Sequence, residues 1–196
     1  MELARSEIDY RTVAGAVVPR PIAWTSSISP DGEENLAPFS FFNVATTTPP
    51  VLLLSVTKFD EEKPDLLKDT FVNIRETEEF VVNIVTHPLL ETMNETSARL
   101  PHGVSEFEHA DVERAESTVV SPPRVGNADV SFECTLHEIV PVGKSALILG
   151  DVVRAHIDDS ITVDGKLDVK ELDAVGRLSG GYYSPISEYE YHERPP

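Results

Sequence analysis

Hydrophobic and polar positions alternate most regularly between Ile22 and Ser29, where Ile22, Trp24, Ser26 and Ile28 stand against Ala23, Thr25, Ser27 and Ser29. That period of two is the signature of a strand. It predicts a strand over Ala16 to Ser29, with one buried face and a ladder of hydroxyls on the other. "SPDGEEN" then supplies a hairpin turn, since Asp31-Gly32 has the backbone freedom that a tight reversal needs. Leu36 to Val44 reads as the returning strand. After Pro49-Pro50, "VLLLSV" is apolar on both faces and is expected at the centre of a sheet. Pro64, with Asp65 and Asp69 as capping candidates, introduces a helix through Thr77 that carries Leu67, Phe71 and Ile74 at helical spacing.

Further along, "FVVNIV" (Phe80 to Val85) is again a strand, Pro88 to Ala98 reads as helical, and Arg99 to Glu116 as polar loop or short helix. The second half is mostly β, with long strands over Asp129 to Val140 and Ser145 to Asp158 joined by the tight "VGK" connection. Short hairpins with helices inserted at one end predict a mainly β chain folded as a closed or nearly closed antiparallel barrel. Strands and helices do not alternate regularly, which argues against a Rossmann sheet. Neither GxGxxG nor GxxxxGK[ST] occurs, so a nucleotide has to be held without those loops. The prolines are scattered and there is no Gly/Ser-rich linker or repeat, which predicts one domain over residues 1–196.

Charge narrows the partners. The net charge is −18, from 34 acidic and 16 basic residues, and only six of the bases are lysine. A field of that sign repels nucleic acid and anionic membrane. Acids in excess over few lysines, spread along the chain, resemble proteins of salt-accumulating halophiles. No apolar run approaches a membrane span, and the first ten residues are acidic and polar, unlike a signal peptide, so a cytoplasmic protein is expected. The single Cys134 lies in a strand pattern and is expected to be a buried small hydrophobe, and the six histidines show no metal-ligand spacing.

The candidate chemistry is a question of how so acidic a chain would hold an anion. A phosphate needs convergent N–H and O–H donors and a cation, best placed at a helix N-terminus. Thr25, Ser26 and Ser27 supply hydroxyls, "LLKDT" puts Lys68 and Thr70 at a helix start, and "FSFFN" places Ser40 and Asn43 beside an aromatic wall of Phe39, Phe41 or Phe42.

The blocks "PRPIAWTSSISPDGEENLAPFSFFN", "TTPPVLLLSV", "KDTFVNIRETEEFVVNIV", "EFEHADV", "FECTLHEI", "LILGDVV" and "GRLSGGYYS" follow one another as in the flavin reductase-like family, which this chain resembles from about Asp9 to Tyr183. The resemblance implies a Greek-key split β-barrel, a homodimer, and FMN bound noncovalently near the subunit interface. It implies that Thr25, Ser26 and Ser27 meet the phosphate end, that Lys68, Asp69 and Thr70 close around it, and that Ser40, Phe41 and Asn43 line the ring edge. Asp69 is also a candidate to cap its helix. Arg20 is expected either to offset phosphate charge or to be a structural surface group, and Trp24 to serve core or dimer packing. Arg177 with Tyr182 either closes the site from the second subunit or belongs to a turn.

The activity implied is oxidoreduction by an FMN enzyme. Electrons would come from NADH or NADPH by direct hydride transfer and go to free flavin, ferric chelate or a protein acceptor. The alternative is a flavoredoxin-like electron carrier without efficient NAD(P)H turnover. The flavin carries the chemistry in either case, so no catalytic acid, base or nucleophile and no metal is expected.

If the acidic surface is a salt adaptation, the melting temperature rises steeply from dilute buffer to molar KCl as screening relieves self-repulsion. Thermal melts over a KCl series check this, and a flat profile would refute it.

Overall fold

The computed structural model describes residues 2–58, 67–100 and 104–195. Strand β1 (Ala23–Ile28) and strand β2 (Glu34–Phe39) form the expected hairpin, with Ala23 opposite Phe39 and Ile28 opposite Glu34. Its turn is closed by the Ser29 amide donating to the Glu33 carbonyl, with Gly32 at φ 89°. β1 starts later than the alternation predicts. Pro19 and Pro21 have no N–H to give a ladder, and of the residues between Ala16 and Ile22 only Arg20 makes a bridge, to Arg177. Ahead of them the chain forms helix α1 (Tyr10–Ala16), whose N-cap Asp9 accepts from the Thr12 amide and hydroxyl.

The returning strand, read as Leu36 to Val44, is in fact two strands. β2 ends at Phe39, and β3 (Phe42–Thr47) pairs instead with β4 (Pro50–Thr57). β4 is central, as predicted, lying between β3 and a long strand described below. Helix α2 (Asp69–Thr77) leads through Glu78, in left-handed conformation, into β5 (Glu79–Ile84). Two short helices, α3 (Leu90–Glu95) and α4 (Glu106–His109), lie within the stretches expected to carry them. The long hairpin of β6 (Val130–Val142) and β7 (Ser145–Ile157) completes one antiparallel sheet of seven strands, ordered β2-β1-β5-β6-β7-β4-β3.

That order requires curvature. In a flat sheet of this order, six interstrand steps of about 4.8 Å would hold β2 and β3 about 29 Å apart. Only Ser40 and Phe41 join them, and the three steps from Phe39 to Phe42 span at most about 11 Å. The sheet therefore curls round on itself into a split barrel, and the Ser55 amide donates to the Phe41 carbonyl at 2.8 Å where the chain crosses.

The core has two halves. Ala23, Leu54, Phe71, Phe80, Cys134 and Ile148 come from β1, β4, α2, β5, β6 and β7 and meet in the interior. Ile22, Trp24, Leu36, Met93, Phe107 and Val175 form the outer half, covered by the short helices. Ala23 and Trp24 are neighbours on opposite faces, so β1 is buried on both sides, where the alternation predicted one open face. Trp24 is fully buried, and its indole N–H donates to Thr96 Oγ1. Asn83 joins the halves: its amide donates to the Trp24 carbonyl, and its oxygen accepts from the Val125 amide and the Ser131 hydroxyl. Burial pushes the Cys134 thiol up, in keeping with its packing role.

Glu133 on β6 is also fully buried. It accepts from the amides of Thr118, Val119 and Val120 at 2.7, 2.6 and 3.1 Å, and it bonds His156 Nε2. The next amide, Ser121, donates to Glu79. Two carboxylates on adjacent strands thus strap four successive peptide groups onto the sheet. Burial alone would raise the Glu133 carboxyl, but these donors outweigh it and hold it at about 2, against an ordinary 4.5.

Because the folded value lies below the ordinary one, this stabilisation is complete above pH 4.5 and is lost as the pH falls towards 2. Glu133→Gln is expected to cost about 3 kcal/mol at neutral pH and to flatten the acid limb of the stability curve. Urea unfolding of both proteins across that pH range checks this, and parallel curves would refute it.

Candidate functional site

The two-sided burial of β1 separates the hydroxyls that sequence reading groups together. Thr25 and Ser27 share the interior face with Ala23, whereas Ser26 shares the outer face with Trp24 and donates to the Pro123 carbonyl. Thr25 donates to the Ala23 carbonyl at 3.3 Å. Ser27 lies opposite Asn35 in the hairpin register, and its oxygen accepts from Asn35 Nδ2 at 3.4 Å and from Asn73 Nδ2 at 3.3 Å. Asn35 Nδ2 also donates to Thr70 Oγ1 at 2.8 Å. Ser27, Asn35, Thr70 and Asn73 are all buried and form one polar cluster where the β1–β2 hairpin meets the first turns of α2. Asn35 and Asn73 are absent from the expected site. Their signals were the hairpin register that faces Asn35 to Ser27, and the spacing of three that sets Asn73 on the Thr70 side of a helix.

Helix α2 begins in its predicted segment, but the cap differs. Lys68 is the N-cap, its carbonyl accepting from the Phe71 and Val72 amides, and Asp69 is the exposed first helical residue. Asp69 therefore does not cap the helix. Its charge sits in the first turn, where the helix dipole favours it. Asp65, the other capping candidate, lies outside the described residues. Lys68, Asp69 and Thr70 do stand together at the positive end of α2, next to Ser27.

At the other end of β1 a second group gathers. Ser40 and Phe41 form the crossing between β2 and β3, and Phe41 is 44% exposed, with its ring centroid 6.3 Å from that of Tyr10. Asn43 is exposed, and its Oδ1 accepts from the Val44 amide. Arg20 lies beneath Phe41, its Cζ 5.4 Å from the ring centroid. It is 6% exposed, so it is no surface group. Nη1 donates to the Ala14 and Val17 carbonyls at the end of α1, and Nη2 to the Leu178 carbonyl. These bonds commit the charge to the C-terminal end of a helix dipole and give Arg20 a structural role. Arg20 and Arg177 are paired through their main chains. The Arg177 guanidinium stacks over the Tyr183 ring at 4.5 Å, bonds the Tyr183 hydroxyl, and donates to the Gly180 carbonyl, while Tyr182 projects into solvent. The expected residues thus form two groups, about 13 Å apart along β1 between Ala23 and Ser27.

Beside the polar cluster is an open cleft of about 510 Å³, lined among others by Glu34, Asp69, Glu76, Glu106, Glu108 and Arg114. Arg114 pairs with Glu34 at 2.6 Å. Glu106 accepts from the Leu36 amide, and its burial raises its pKa. The cleft itself has the wrong sign for an anion, so any anion here depends on the uncharged donors of the cluster.

The buried amide network is testable by itself. Asn35→Ala strips donors from Ser27 and Thr70 and is expected to cost about 1–3 kcal/mol. Equilibrium urea unfolding measures it, and an unchanged midpoint would show that the network contributes nothing.

The flavin reductase like domain model matches residues 15–167. A protein of Aquifex aeolicus is 44% identical over 189 residues, covering 93% of this chain and 94% of that one. Among solved structures, nitrilotriacetate monooxygenase component B from Bacillus cereus superposes with a TM-score of 0.91 at 32% identity, over 98% of each chain. The 2-nitrobenzoate 2-nitroreductase NbaA of Pseudomonas fluorescens gives 0.88 at 28% identity, over 100% of this chain and 96% of its own.

Proposed function

The chain belongs to the flavin reductase-like family of oxidoreductases, and on that footing we propose that it binds FMN and passes electrons from NADH or NADPH to free flavin, ferric chelate or a protein acceptor, acting as a cytoplasmic homodimer. The observation that carries this reading is the cluster of Ser27, Asn35, Thr70 and Asn73 at the start of α2. Ser27 and Thr70 each accept an amide hydrogen, so each keeps its own proton to donate. The first amides of α2 have no acceptor within the helix, and Lys68 adds a cation. This donor set fits a phosphate, and it does so largely without formal charge.

The second group fits the ring end. Phe41 offers an exposed aromatic face, and because Asn43 Oδ1 is occupied by the Val44 amide, its NH₂ is left as a donor. Bound FMN would supply the redox chemistry, taking up hydride and passing electrons onward. The side chains hold, orient and polarise. Arg20 contributes by fixing α1 beneath Phe41 rather than by meeting phosphate. An exposed apolar face of Tyr10, Val13, Val17, Phe41 and Val44 favours the dimer. Tyr182 and Arg177 are the residues we assign to closing the partner's site.

The deciding experiment is an absorbance spectrum after loading with FMN and removing the excess, followed by anaerobic NADH and then NADPH. A retained flavin band that bleaches at once is the expected result. Bleaching by dithionite alone would replace the reductase reading with an electron carrier, and no retained band would refute a resident cofactor. Lys68→Ala is expected to weaken FMN binding roughly 10- to 100-fold, the loss of a charge-assisted contact. Unchanged affinity in equilibrium titration would remove Lys68 from the site.

A further inference from the structure

A smaller cavity lies on the other side of β1. It has a volume of about 140 Å³, and its lining includes Pro19, Arg20, Ile22, Val85, Val175 and Ile186. Ile22, Val85 and Val175 belong to the outer half of the core, so β1 itself separates this cavity from the interior face that carries Thr25 and Ser27. A cavity on the order of 150 Å³ accommodates a molecule of the size of benzene. It is too small for a flavin.

The walls are hydrocarbon, yet one lining residue is a cation. Arg20 is 94% buried by the same measure that gives it 6% exposure. Among the described residues its hydrogen-bond acceptors are three neutral main-chain carbonyls, those of Ala14, Val17 and Leu178. Its Nε is buried with no partner. A buried charge is costly unless it is paired, and an orphaned buried donor adds to that cost. Dipoles alone solvate this guanidinium, and one N–H remains to be satisfied beside a pocket lined with aliphatic carbon.

We propose that this cavity binds a small monocarboxylate, with its carboxylate at the Arg20 guanidinium and its hydrocarbon body among Ile22, Val85, Val175 and Ile186. The chemistry excludes the neighbouring classes. A phosphate would press polar oxygens against aliphatic walls, and a dicarboxylate would bury a second charge with no partner. A neutral amide would satisfy the Nε–H but leave the cation uncompensated. The bound carboxylate supplies both the missing acceptor and the missing countercharge.

The test uses the full chain, ¹⁵N-labelled and free of flavin, so its outcome is independent of the FMN reading. Sodium butyrate and sodium benzoate are titrated against butyramide, with sodium chloride at matched ionic strength as control, following the Arg20 Nε–H and the amides of Val85 and Gly176. The expected result is saturable shifts with a carboxylate, a downfield move of the Nε–H, and binding of butyramide at least about tenfold weaker. Ile186→Trp fills the rim from a partly exposed position without touching the Arg20 bonds, and it is expected to abolish the shifts. Absence of saturation with both carboxylates, equal binding of butyramide, or unchanged binding in a folded I186W protein would each overturn the proposal. The wild-type comparison of butyrate with butyramide decides the matter even if the variant does not fold.

Discussion

Ser40 and Phe41 join the first and last strands of the sheet order, and the closure they impose shapes everything around them. With the sheet curled, β1 has core on both faces and its side chains must divide between an interior and an outer layer. The interior share brings Ser27 to α2, and the outer share brings Trp24 to the short helices. The same crossing sets Phe41 at the surface over Arg20. Both groups of candidate residues therefore owe their positions to one connection, and the strand between them sets their separation.

The polar cluster shows how a strongly acidic chain can still favour an anion. At −18, added surface lysines would be needed in number to reverse the field. The cluster relies on hydroxyls, amides and a helix start, groups that act over a bond length and are insensitive to distant acids. The acidic cleft beside it then limits what else approaches from that side. Glu133 applies the same device in mirror image, with backbone amides holding a carboxylate ionised at the heart of the sheet.

Much of the fold was legible because its signals are local. The Asp31-Gly32 reversal, the apolar run of β4 and the β6–β7 hairpin follow from turn chemistry and periodicity. The break at Ser40-Phe41 was not legible, because the apolar pattern runs through it unbroken and the change of partner is a long-range event. Helix α1 had a readable cap in Asp9 and Thr12, but the alternation that follows drew the strand reading too far back. At the site, the hairpin register could have named Asn35, whereas the meeting of Ser27 with Thr70 and Asn73 depends on how α2 docks. Arg20 and Glu133 were opaque for a common reason. Their partners are peptide carbonyls and amides, which every residue possesses and no sequence pattern marks.

The guanidinium of Arg20 gathers the end of α1 and the Leu178 carbonyl, groups that lie 158 residues apart from Arg20 to Leu178. Synthesis delivers the chain from its N-terminus, so β1 and β2 emerge long before the acceptor that completes this arginine's bonds. Until Leu178 arrives, the side chain at the mouth of the barrel is an unsatisfied cation, better placed in water than in the core. The barrel can gather strand by strand during translation, but its seal at Arg20 is among the last events of folding.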